Sequence, residues 1–193
     1  MTPSGAGGAM RLLDLFCGAG GAAVGYHRAG FDEIVGVDNR PMPRYPFTFV
    51  LGDALEYVRE HGREFDAIHA SPPCQGYSAL LCLPWLRGRI YPRLIESLRP
   101  LLTALGVPWV MENVERAPLD GITLCGTMLA LPVYRHRVFE SSVMLLQPPH
   151  EKHQVVIGHG RMVNDRRKGT LKQRLRKRRV GQSDDRDSGR RAV

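Results

Sequence analysis

Cys74 follows two prolines in Ser71-Pro72-Pro73-Cys74-Gln75, directly behind the apolar run Phe65-Asp66-Ala67-Ile68-His69-Ala70. Proline fixes its own φ and pushes its predecessor out of the helical region, so this pair keeps the chain extended and aims the next side chain outward. A thiol presented so at a strand end is a candidate nucleophile. Burial as packing is the commoner fate of a cysteine, so the case rests on what else converges on it. Four acids stand at comparable places: Asp14, Asp38, Asp53 and Glu112 each lie at or just beyond an apolar, strand-like run.

Those acids need a scaffold, and the sequence predicts one. Strands are expected at 11–16, 34–38, 47–51, 65–70, 109–113, 122–125 and 137–140, with helices at 20–29, 54–61 and 91–105. Alternating strands and helices indicate an α/β fold, a doubly wound, Rossmann-like sheet whose strand tips share one rim, where ligands bind. After the first strand, Gly18, Gly20 and Gly21 form a turn whose small residues allow close backbone approach and expose the amides of a helix N-terminus. Asp38 closes the second strand 20 residues beyond Gly18, the arrangement by which nucleotide-cofactor folds hold a ribose. The stretch 77–90, with Pro84, Trp85 and Leu86, reads either as a loop closing over a ligand or as padding for the core.

Four blocks carry a resemblance over about residues 10–140: Asp14-Leu15-Phe16-Cys17-Gly18-Ala19-Gly20-Gly21, Pro72-Pro73-Cys74-Gln75, Glu112-Asn113-Val114 and Arg135-His136-Arg137. In these the chain resembles the cytosine carbon-5 methyltransferases that use S-adenosylmethionine, above all their short bacteriophage and actinobacterial forms. The resemblance implies a catalytic set of Cys74, Glu112, Arg135 and Arg137. It also implies a cofactor set of Asp14, Phe16, Gly18, Gly20, Asp38, Asp53 and Pro72, with Asp38 on the ribose and Asp53 on the adenine amine. Asn113 is implied to brace the Pro72-Pro73 loop. Carbon 5 of cytosine is a poor nucleophile, and a thiolate adding at carbon 6 makes it enamine-like. Glu112 is then expected to engage ring N3, helped by burial that raises its pKa, and the two arginines to hold charge on the base and its phosphate. The target base must leave the stack, so base flipping is implied.

The chain departs from the family at Val133, where relatives outside the short forms carry glutamine two residues before the first arginine. It departs more at its end, where neither a target-recognition region nor a closing helix follows. The 193 residues carry a formal net charge of +8, concentrated beyond residue 160, where 13 Lys and Arg face 4 Asp and Glu. We therefore expect a loose leader over 1–9, a catalytic core over 10–160 and a basic, disordered tail over 161–193 with a short helix around 171–179. A truncated or frame-shifted core, a split enzyme completed by a separate recognition chain, and a tail that grips phosphates all remain open. So do an RNA substrate and a remnant that binds cofactor without turnover. Double-stranded DNA is the expected partner, in a cytoplasmic restriction-modification or phage setting. No membrane span is expected, since no apolar run reaches about 18 residues. No metal is expected either, because Cys17, Cys74, Cys82 and Cys125 form no Cys-x-x-Cys pair.

Overall fold

A computed structural model describes residues 8–78, 83–86, 88–150, 153, 156–158 and 161–163. Its first compact unit, Met1–His150, is built on a seven-stranded sheet. In chain order these are β1 Arg11–Leu15, α1 Gly21–Arg28, β2 Glu33–Asp38, β3 Thr48–Leu51, α2 Ala54–His61 and β4 Ala67–Ala70. They continue with α3 Ile95–Leu105, β5 Trp109–Asn113, β6 Ile122–Cys125 and β7 His136–Ser141.

The strands lie in the order β3-β2-β1-β4-β5-β7-β6. The first five are mutually parallel, and β7 runs antiparallel to both β5 and β6. The order reverses direction between β1 and β4, which makes the gap beyond their carboxyl ends the switch point at which such sheets bind ligands. The doubly wound α/β class expected from the sequence is the one observed.

Alternation along β1 explains how both faces are covered. Leu13 and Leu15 join Val37, Ile68 and Ala70 in a core roofed by Val58 of α2 and by Ile95, Leu98 and Leu102 of α3. Leu12 points the other way, with Ile34 and Tyr45, against Ala23 of α1. The expected helix from residue 91 starts only at Ile95, since Pro92 removes a donor and holds Tyr91 out of helical backbone. Strand β1 ends one residue early because Phe16 adopts a left-handed φ of 58°.

One charged bond fastens α3 to the antiparallel edge. Glu140 on β7 accepts from Arg99 Nε at 2.6 Å, from Arg99 Nη2 at 2.7 Å and from the Asp120 amide at 2.9 Å. Burial pushes this carboxyl up, but the Arg99 bonds and the Asp120 amide outweigh it and leave it below its ordinary value. A carboxylate depressed in the fold stabilises above its unfolded pKa of about 4.3, and that contribution is lost as pH falls through the folded value. Glu140→Gln should therefore cost about 2–3 kcal/mol in urea unfolding at neutral pH, with the gap to wild type closing in acid.

The second compact unit, Glu151–Val193, is described through a hairpin of β8 Val156–Gly158 and β9 Arg161–Val163. The two strands of this hairpin lie on either side of residue 160. The basic helix expected at 171–179 lies outside the described residues, as do the leader through residue 7 and Cys82. Among the described residues no helix is long and apolar enough to cross a membrane.

Candidate active site

A cleft of about 540 Å³ opens beyond the carboxyl ends of the parallel strands, a size suited to a nucleotide-scale ligand. The loops after β1 and β4 meet at the switch point, where the Ser71 hydroxyl donates to the Phe16 carbonyl at 3.3 Å. Cys74 lines the cleft as a half-buried free thiol at φ −81°, ψ −8°, entering a short 3-10 turn over Gln75–Tyr77. That turn is anchored from below. The Tyr77 hydroxyl donates to Glu96 Oε2 at 2.6 Å and accepts from the Ile95 amide at 3.2 Å, so Cys74 is held against the start of α3.

Across the cleft, β5 delivers Glu112. Its Oε1 lies 2.6 Å from Arg137 Nε, with both side chains about one-fifth exposed. Burial of Glu112 is thus only partial, and the Arg137 cation is its immediate partner. Arg135 lines the same cleft from an exposed position. Asn113, the next residue on β5, turns inward and donates to the Pro72 carbonyl at 2.8 Å while accepting from the Val114 amide. The brace expected of it is present.

The other end of the cleft is acidic. Asp38, at the tip of β2, accepts from the Gly18 amide at 3.1 Å and from the Arg40 amide at 3.0 Å, one bond to each oxygen. A carboxylate oxygen has a second lone pair, so both remain able to take a hydroxyl. Asp53 caps α2 through Oδ1, which accepts from the Leu55 and Glu56 amides, and its carboxylate also borders the cleft. Phe16 and Pro72 form the wall between the two ends.

Three expected cofactor residues do not join them. Asp14 is 1% exposed and faces the opposite side of the sheet, bonded to His69 Nδ1 at 2.9 Å and the Tyr45 hydroxyl at 3.1 Å. It sits one residue before the strand end, and alternation turns it under α1, away from the rim. Neither Gly18 nor Gly20 lines the cleft. Gly20 is required by the chain itself, since a Cβ there would stand 2.6 Å from Pro46 Cδ, at a φ of +85°. Gly18 spends its amide on Asp38, and so sets that carboxylate's orientation. Cys17 is no rival nucleophile: burial, then the Asp14 and Asp38 charges, push its thiol up to about 12.

The sequence reading missed Asn39, Arg40 and Met42, which border the cleft from the loop after β2, and Tyr91, Pro92 and Leu94, which border it ahead of α3. The first group follows Asp38 directly at the tip of β2, so topology alone carries it to the rim. The second carries no signal in its residue types. Trp85 is 69% exposed, which overturns core padding as its role.

The model of the C-5 cytosine-specific DNA methylase family matches residues 10–80. Type II methyltransferase M.HgiGI of Herpetosiphon aurantiacus is 32% identical over 126 residues, which cover 58% of this chain and 97% of that protein. The chain belongs to the cytosine C-5 DNA methyltransferase family. Members are S-adenosylmethionine-dependent enzymes. M.AquIA of Picosynechococcus, a further Type II methyltransferase, is 33% identical over 125 residues covering 54% of this chain. The chain spans about half of that relative's length, 48%, and 40% of M.HgiDI from Herpetosiphon aurantiacus. A SAM-dependent methyltransferase from Agrobacterium tumefaciens is a looser structural likeness, with 19% identity, a TM-score of 0.37 and coverage of 57% of this chain and 40% of that one.

Proposed function

We propose that this cytosine C-5 methyltransferase chain methylates carbon 5 of a flipped cytosine in DNA through a transient bond from Cys74. The observation that carries the reading is one cleft with a free thiol, the Glu112–Arg137 pair and two rim carboxylates. The acidic end fits S-adenosylmethionine: Asp38 would hold the ribose hydroxyls and Asp53 the adenine amine, beside the Phe16 wall. When bound, the cofactor supplies an electrophilic methyl group.

The chain's own residues then divide the work. The Cys74 thiolate adds to carbon 6 of the ring, and the displaced electron pair makes carbon 5 nucleophilic. Glu112 supplies the proton shared with ring N3, and Arg137 fixes the Glu112 carboxylate in place. Once carbon 5 carries the methyl group, loss of its proton returns electrons to the ring and expels the thiolate. Arg135, exposed at the mouth, suits a backbone phosphate. Target choice falls to segments beyond this core, in the same chain or in a separate recognition chain.

The test is DNA containing 5-fluorocytosine, whose carbon-5 fluorine cannot leave as a proton does. With S-adenosylmethionine present, the chain should form one covalent complex that survives denaturing electrophoresis. Cofactor binding with no adduct would mark a binding remnant and defeat the proposal. An adduct on RNA and none on DNA would defeat the choice of substrate.

A further inference from the structure

We propose that Cys125, His136 and His150 form a divalent-metal site, zinc by its donor set, at the β6–β7 edge of the sheet. Cys125 closes β6 and stands in register with His136, which opens β7, so the antiparallel pairing alone places these two side by side. The chain then returns after β7 and brings His150 to the same point. Their Sγ and ring-nitrogen atoms all lie within 4.8 Å of one another.

The spacing suits a metal. Zinc–nitrogen bonds of about 2.0–2.1 Å at tetrahedral angles separate two imidazole donors by about 3.3–3.4 Å. His136 Nε2 and His150 Nε2 are 3.3 Å apart. Hydrogen bonds from His150 to the His136 ring and to the Cys125 sulfur hold the three groups together without a metal, and they leave one thiol and two imidazoles converging as a ready donor set. The Cys125 sulfur accepts from the Thr127 hydroxyl at 3.4 Å and faces the Val133 carbonyl at 3.8 Å, and metal binding would displace its proton. On its far side His136 Nδ1 faces Glu115 Oε1 at 3.7 Å, where an outer carboxylate orients a metal-bound imidazole. Thiolate and imidazole together favour zinc over the hard cations magnesium and calcium.

The cysteines form no Cys-x-x-Cys pair, whereas this cluster joins one cysteine to histidines from separate segments. Its consequence is positional. His136 lies between Arg135 and Arg137, so a metal there would pin the backbone that carries both cleft arginines.

The experiment is metal analysis of the full chain after dialysis, followed by cobalt substitution. One zinc per chain is expected, and the cobalt form should show tetrahedral ligand-field bands with a thiolate-to-cobalt charge-transfer band. Cys125→Ser should abolish that band. His136→Ala and His150→Ala should each weaken zinc binding by more than about 100-fold, since loss of an outer partner alone costs about 10–100-fold. Substoichiometric zinc in the wild-type protein overturns the site. So does a cobalt spectrum without the thiolate band, or a band that survives Cys125→Ser. None of these readouts depends on methyl transfer.

Discussion

Cys74→Ala is expected to lower methyl transfer to DNA cytosine by about 10⁴-fold or more, and to abolish the covalent complex with 5-fluorocytosine DNA. The magnitude follows from the chemistry: without an attacking thiolate, carbon 5 stays part of an aromatic ring, and the remaining groups can only position it. Cofactor affinity should hardly move, because the rim carboxylates belong to other elements, Asp38 to the tip of β2 and Asp53 to the cap of α2. Stability should hardly move either, since Cys74 is half-buried and its backbone suits alanine. Radiolabelled methyl transfer, calorimetric cofactor binding and a melting curve, taken together, make the test. Activity within tenfold of wild type would remove Cys74 from the mechanism. The other two described thiols give no substitute, as Cys17 is buried behind two carboxylates and Cys125 sits at the far edge of the sheet.

What could be read in advance was set by local chemistry. The strand tips followed from apolar runs ending in acids or glycine, and topology then forced Asp38, Cys74 and Glu112 onto one rim. Asp14 shows where that logic fails. A single-residue shift along a strand reverses the face a side chain addresses, and the motif placed Asp14 at the rim when its true partners are His69 and Tyr45. Gly20 shows the same limit in another form, for its need arises from Pro46, a contact 26 residues away in the chain. The Cys125–His136 juxtaposition depends on antiparallel register at a sheet edge. No spacing rule in one dimension encodes it.

The second large effect concerns Glu112. Glu112→Gln keeps the shape and can still accept from Arg137, but it cannot exchange a proton with ring N3. Turnover should fall by about 10²–10⁴-fold, the range general acid–base groups supply. Adduct formation should slow, and cofactor affinity should stay unchanged. A purely structural role predicts something different. Breaking an ion pair that is about one-fifth exposed would cost on the order of 1 kcal/mol of stability and leave kcat nearly intact. Arg137→Ala separates the two accounts further. It leaves the carboxylate in place but unclamped, so kcat should drop while the fluorocytosine adduct still forms. If Glu112→Gln melts earlier yet turns over within about threefold of wild type, the pair is a strut and proton transfer must be sought elsewhere in the cleft.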